Sequence, residues 1–158
     1  MIKKKILRIA IAISICLIVG FLAAYATQSG LSTWYGTLEK PYFNPSNWLF
    51  ASVGTVLYIL MGIAAGLVWS RGVYHRWVKT ALYHFGFQLL LNGLWFVVFF
   101  GFGQPSFGLL LIVALFILLL LTIKWFKLVT PIAAYLLIPY LIWVAFAMVL
   151  NFEIWRLN

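Results

Sequence analysis

Five apolar stretches, each about as long as a bilayer is thick, dominate this chain of 158 residues. A helix needs about 20 residues to cross the roughly 30 Å hydrocarbon core. The stretches fall at about 6–27, 48–69, 81–102, 106–123 and 132–152. Each must be helical, because unpaired backbone groups in lipid are too costly. Barrel strands would be shorter and would alternate apolar with polar residues, which these stretches do not. The expected fold is an all-α integral membrane protein: one domain over 1–158, a five-transmembrane-helix bundle. Composition agrees. The chain is 66% hydrophobic and 8% charged, against about 25% charged in an ordinary soluble domain. So few polar side chains could not cover a soluble surface. A soluble enzyme, a disordered tail and a disulfide-stapled secreted domain are excluded. Cys16, the single cysteine, can form no intrachain disulfide.

The formal charge of +9 would suggest nucleic acid in a soluble chain. Here the cations lie between apolar runs, so they are expected to meet lipid head groups and no nucleic acid. Lys3, Lys4, Lys5, Arg8, Arg71, Arg76, Lys79, Lys124 and Lys127 fall on one side of the five spans, and only Lys40 and Arg156 on the other. The positive-inside rule then predicts the N-terminus inside and the C-terminus outside. The stretch from Lys3 to Ala24-Tyr25-Ala26 has the outline of a secretory signal. Its apolar run after Arg8, about 18 residues, exceeds the 7–15 of a signal core and favours a retained span.

Two connections, 103–105 and 124–130, are short and imply antiparallel neighbours. The connection 28–47 is different: it is long, holds Pro41 and Pro45, and lies on the predicted outer side, as a lid or binding loop would.

Polar side chains inside spans are expensive and point to function by default. Gln88, Asn92, Trp95 and Phe99 share one face of span three. Tyr140, Trp143, Ala147 and Asn151 share one face of span five. Facing each other, the stripes would form an aromatic-walled cavity with amide and hydroxyl groups, suited to a flat apolar ligand with polar edges. They would equally serve as interhelical hydrogen-bonding glue. Trp48, Trp69, Trp77, Trp125 and Trp155 sit near span ends, as interfacial belt residues do. Gly62-x-x-x-Gly66 permits a close helix contact or a dimer seam, and Pro139 is expected to kink span five. His75 and His84 have no partner at i+3 or i+4, so no metal site is expected. Glu39 and Glu153, the only acids, lie away from mid-span, which argues against a proton relay.

Taken in order, these blocks resemble the TspO/translocator-protein family, the tryptophan-rich sensory proteins or peripheral benzodiazepine receptors. The outer loop carries Trp34-Tyr35-x-x-Leu38-x-Lys40-Pro41 and then Pro45. Span two carries Leu57-Tyr58 and Gly62-x-Ala64, and span three Gln88-Leu89-x-Leu91-Asn92-x-x-Trp95 with Phe99-Phe100-Gly101. Span five carries Pro139-Tyr140-x-x-Trp143-x-x-Phe146-Ala147-x-x-Leu150-Asn151. The resemblance implies a five-helix bundle, often a homodimer; the Lys/Arg asymmetry and the short chain fit a bacterial inner membrane. The resemblance also implies a cavity under the first loop for tetrapyrroles, sterols and benzodiazepine-type ligands, with no cofactor. By the same resemblance the ligand-binding residues are Trp34, Tyr35, Asn92, Trp143 and Ala147, with Tyr58 and Trp95 beside them.

Three positions depart from the family pattern. Ser46 follows Pro45 where a second proline is common, which implies a looser lid. Gly54 stands where a Trp usually precedes the Leu-Tyr of span two, which removes one aromatic wall and widens the pocket. Phe152 occupies the tyrosine place of the animal cholesterol motif, which speaks against cholesterol binding. The leading function is a membrane receptor or carrier for porphyrin-like tetrapyrroles and other flat lipophilic molecules. Alternatives are a light- and oxygen-dependent protoporphyrin-degrading enzyme using Trp34 and Trp143, a transporter of such ligands, and a scaffold.

Overall fold

The computed structural model describes residues 2–158, and the side chains of all of these except 27–33 and 47. The described residues contain no strand. Helix α1 spans Ile2–Thr33, α2 Asn47–Trp69, α3 Arg76–Phe96 and α4 Pro105–Val129. The fifth crossing is made of two helices, α5 (Pro131–Leu136) and α6 (Ile138–Leu157). All five crossings are long and apolar enough to span a membrane.

The boundaries show what starts and stops each helix. α1 continues six residues past the apolar run, because nothing in 28–33 breaks a helix apart from a single glycine. The connection to α2 is therefore shorter than 28–47, and it contains a 3₁₀ turn at Tyr35–Thr37. Ser46 does local work at its end: its hydroxyl accepts from the Leu49 amide at 3.3 Å and caps α2. Pro105 and Pro131 open α4 and α5, where a missing N–H costs nothing. Pro139 does more than bend a continuous helix. It falls in the first turn of α6, and the chain closes α5 through a Leu137 N–H to Ala134 carbonyl bond of 3.1 Å. α3 ends in a π-helical turn at Val97–Gly101, where the Phe102 N–H reaches back to the Val97 carbonyl at 2.9 Å. The extra residue turns both Phe99 and Phe100 inward, and both are buried.

α2 is the central element. Of its most apolar stretch 44% is buried, against 11% for α1, which lies on the outside of the bundle. α1 packs chiefly on α2, α3 on α4, and α4 on α6. The α1–α2 contact explains Gly62 and Gly66. A Cβ on Gly62 would fall on the Ile13 Cα, and one on Gly66 would lie 2.5 Å from the Ile9 Cα. The small-residue stripe is thus an intrachain seam, covered by α1, and not a dimer seam. Arg8 completes this end of the seam, with Nη1 donating to the Trp69 carbonyl at 3.3 Å and its guanidinium over the Trp69 ring.

Candidate ligand-binding site

Two amides one helical turn apart on α3 organise the interior. The Tyr140 hydroxyl, from α6, donates to Gln88 Oε1 at 2.9 Å and accepts from Asn92 Nδ2 at 3.1 Å. Asn92 Oδ1 accepts from the Tyr58 hydroxyl of α2. Gln88 Nε2 faces the Met61 sulfur at 3.9 Å. One turn further, Trp95 Nε1 donates to Asn151 Oδ1 at 2.9 Å, and Asn151 Nδ2 donates to the Pro105 carbonyl at 2.8 Å. These side chains are all buried, and no buried polar side-chain atom among the described residues lacks a partner. The two sequence stripes do face each other, through Asn92–Tyr140, Gln88–Tyr140 and Trp95–Asn151. Their hydroxyls and amides hold three helices in one arrangement. A carbonyl oxygen has a second lone pair, so the cluster can still accept a hydrogen bond.

The loop closes over one end of the bundle with aromatic contacts. Trp34 meets Phe99 edge-on at 5.4 Å and lies against Gly103, whose φ of +62° suits a residue with no Cβ. Tyr35 is buried, packs edge-on against Phe100 at 5.0 Å, and donates to Asn44 Oδ1. Burial pushes its phenol up to about 12, with the Asn44 side chain pulling the other way. Lys40 Nζ sits 4.8 Å above the Tyr35 ring. The C-terminal residue ties the loop down: Glu39 N–H donates to Asn158 Oδ1 at 3.1 Å, and Asn158 Nδ2 donates to the Glu39 carbonyl at 2.9 Å.

Three spaces surround this framework. A central cavity of about 30 Å³ is bordered by Tyr58, Asn92, Trp95, Tyr140, Trp143 and Ala147, among others. That holds about one water, where ligand pockets usually measure roughly 300–1,000 Å³. A lateral pocket of about 450 Å³ opens between α1, α2 and the end of α3. A groove of about 480 Å³ runs between α2 and α6 under Phe43 and Pro45, with Trp143 in its wall. Of the seven expected site residues, Tyr58, Asn92, Trp95, Trp143 and Ala147 meet at the central cavity. Trp34 and Tyr35 border neither it nor the lateral pocket; they fill the space beneath the loop with their own rings. Trp143 is half-buried and rests on Phe50 and Phe146, with ring centroids at 5.6 and 5.3 Å.

A match to the TspO/MBR family covers residues 12–156. The chain belongs to that family. It is 44% identical to the tryptophan-rich protein TspO of Chlorobaculum tepidum over 156 residues, 99% of each chain. To the TspO protein of Archaeoglobus fulgidus it is 41% identical over 155 residues, 98% of this chain and 99% of that one. The human translocator protein is 37% identical over 127 residues, 79% of this chain and 75% of its own. With five apolar helices and these relatives, the chain is a multi-span membrane protein.

Other predicted positions have local roles. Trp48, Trp77 and Trp155 are exposed near helix ends, while Trp69 and Trp125 are half-buried with Arg8 and Lys124 over their rings. His84 Nδ1 lies 2.8 Å from the Thr80 carbonyl, one turn back on its own helix. Among the described residues, no group of three His, Cys, Asp or Glu side chains could hold a metal ion. Periodicity did not single out Phe50, Phe96 and Phe100 as pocket residues. They read as undifferentiated parts of apolar runs, and the π-turn that aims Phe100 leaves no sequence signature.

Proposed function

We propose that this protein is a membrane receptor or carrier for porphyrin-like tetrapyrroles and other flat lipophilic molecules, seated against the Tyr58–Asn92–Tyr140–Gln88 cluster. The observation that carries this reading is the cluster itself: a hydrogen-bonded amide–phenol group inside an aromatic interior, with large apolar spaces beside it. A planar ring can stack on the aromatic walls and turn its polar edge to the cluster. Trp34, Tyr35 and Lys40 close the loop end, Trp143 and Ala147 form a wall near Tyr140, and Trp95 backs Asn92. Seating a ligand requires the 30 Å³ cavity to grow. Trp143, half-buried and packed on the rings of Phe50 and Phe146, is the wall that gives. The membrane is a bacterial inner membrane, with the N-terminus inside, and the active unit is a homodimer. The degrading alternative needs Trp34 and Trp143 beside one ligand. Trp34 packs on Phe99 and Gly103, away from the cavity that Trp143 borders, which favours binding.

The test is a protoporphyrin IX titration of the purified protein in detergent, followed by Soret absorbance and tryptophan quenching, with empty micelles as control. Saturable one-site binding that weakens about tenfold in Trp143→Ala and Asn92→Ala is expected. Equal, unsaturated uptake by wild type, variants and micelles would overturn the assignment.

A further inference from the structure

The separation between α1 and α2 changes along their length. At the basic end the backbones touch through Gly62 and Gly66. Nearer the loop, Gly20 receives the edge of the Tyr58 ring, and a Cβ there would lie 2.5 Å from Tyr58 Cε2. Beyond that contact the helices part, and the 450 Å³ pocket fills the gap. Its walls include the rings of Phe21, Phe50, Tyr58, Phe96 and Phe100, and no charged side chain among the described residues borders it.

Three residues border both this pocket and the central cavity: Gly54, Tyr58 and Phe96. Gly54 lines both spaces and puts no side chain into either. A Cβ built there would meet no atom within 4 Å, unlike Gly20, Gly62 and Gly66, whose Cβ positions are blocked. Tyr58 contributes its ring to the pocket wall while its hydroxyl points inward to Asn92. The pocket is therefore lined mainly by apolar and aromatic side chains, with Thr55 in its wall and the Tyr58 hydroxyl turned to the cluster.

We propose that Gly54 is a side window through which a flat lipophilic ligand, lying in the α1–α2 pocket and coming from the bilayer, reaches the Tyr58–Asn92 pair with its polar edge leading. The occupant is planar because five aromatic rings line the pocket, and stacking is the attraction they offer. Its leading edge enters uncharged, with any carboxyl group protonated, since a charge in this lining would be unpaired. This deepens the function proposed above and rests on it. Access is lateral, so the loop need not open. The side chain at position 54 then sets how far a ring can advance, which makes Gly54 a specificity-determining residue.

The test uses the full chain and protoporphyrin IX. Gly54→Leu closes the window and, because position 54 faces open space, should leave the melting temperature unchanged. It is expected to weaken binding about tenfold, whereas Gly54→Ala stays within about threefold of wild type. If Gly54→Leu binds like wild type while Trp143→Ala is weakened, the window is overturned and the binding function stands. If wild type itself does not saturate, both fall. A second measurement covers a Gly54→Leu chain that does not fold. In a Cys16→Ser background, Thr55→Cys places a thiol on the pocket wall for a lipid-soluble maleimide. Protection that follows protoporphyrin occupancy supports the proposal. Labelling unchanged at saturation, as when a lipid acyl chain holds the pocket or a second copy covers it, overturns it.

Discussion

Asn92 joins three helices through one side chain: its amide bridges the phenols of Tyr58 and Tyr140, on α2 and α6. Interhelical hydrogen bonds in membranes contribute about 0.6–2 kcal/mol each, and leaving buried partners unpaired adds to the loss. Asn92→Ala is expected to cost about 1–3 kcal/mol in a detergent-unfolding titration; a silent variant would show that Tyr58 and Tyr140 find other partners. Tyr35 makes a different prediction. Its phenol, ordinarily near 10.0, is held up to about 12 by burial. The neutral form is the one the folded loop keeps. Its stabilisation is whole below the unfolded value and is lost as pH rises through the folded one. Loop docking should loosen between pH 10 and about 12, read as late tyrosinate absorbance that Tyr35→Phe removes. At this scale the sequence was informative wherever polarity was unusual. Gln88, Asn92, Tyr140 and Asn151 stood out because amides and phenols in lipid need partners. Gly54 stood out only by resemblance; that it borders two spaces depends on where α1 lies.

Helices were legible because each crossing is a long apolar run, and their ends less so, because helix turns beyond the apolar runs carry no hydropathy signal. α1 therefore runs to Thr33 and α4 to Val129, past the apolar cores. The break between α5 and α6 and the π-turn after α3 are backbone events within apolar sequence. Pro139 marks the first, and nothing local marks the second. The α1–α2 seam gives the element-scale prediction. Gly62→Leu would drive a side chain into the Ile13 backbone. Overpacking of this kind costs about 1–3 kcal/mol or displaces the helix. The variant should melt well below wild type, with Gly54→Ala as the silent comparison; equal melting temperatures would refute the seam.

At the scale of the molecule, alternating crossings gather nine of the eleven cations at one end. The predicted orientation follows from that asymmetry. Reporter fusions should show the N-terminus inside and the C-terminus outside, and moving Lys40 to the basic side should not invert them; a C-terminal reporter active inside would overturn it. The sequence by itself determined the class, the number of crossings and the stripes of α3 and α6. Hydrophobic length and the cost of unpaired polar groups act locally and need no knowledge of neighbours. Only the tertiary structure decided which spaces exist. The central cavity is nearly filled, Trp34 and Tyr35 pack on Phe99 and Phe100, and the open pocket lies between α1 and α2. A cavity is what packed helices leave empty, and it depends on the angle and contact of elements far apart in the chain.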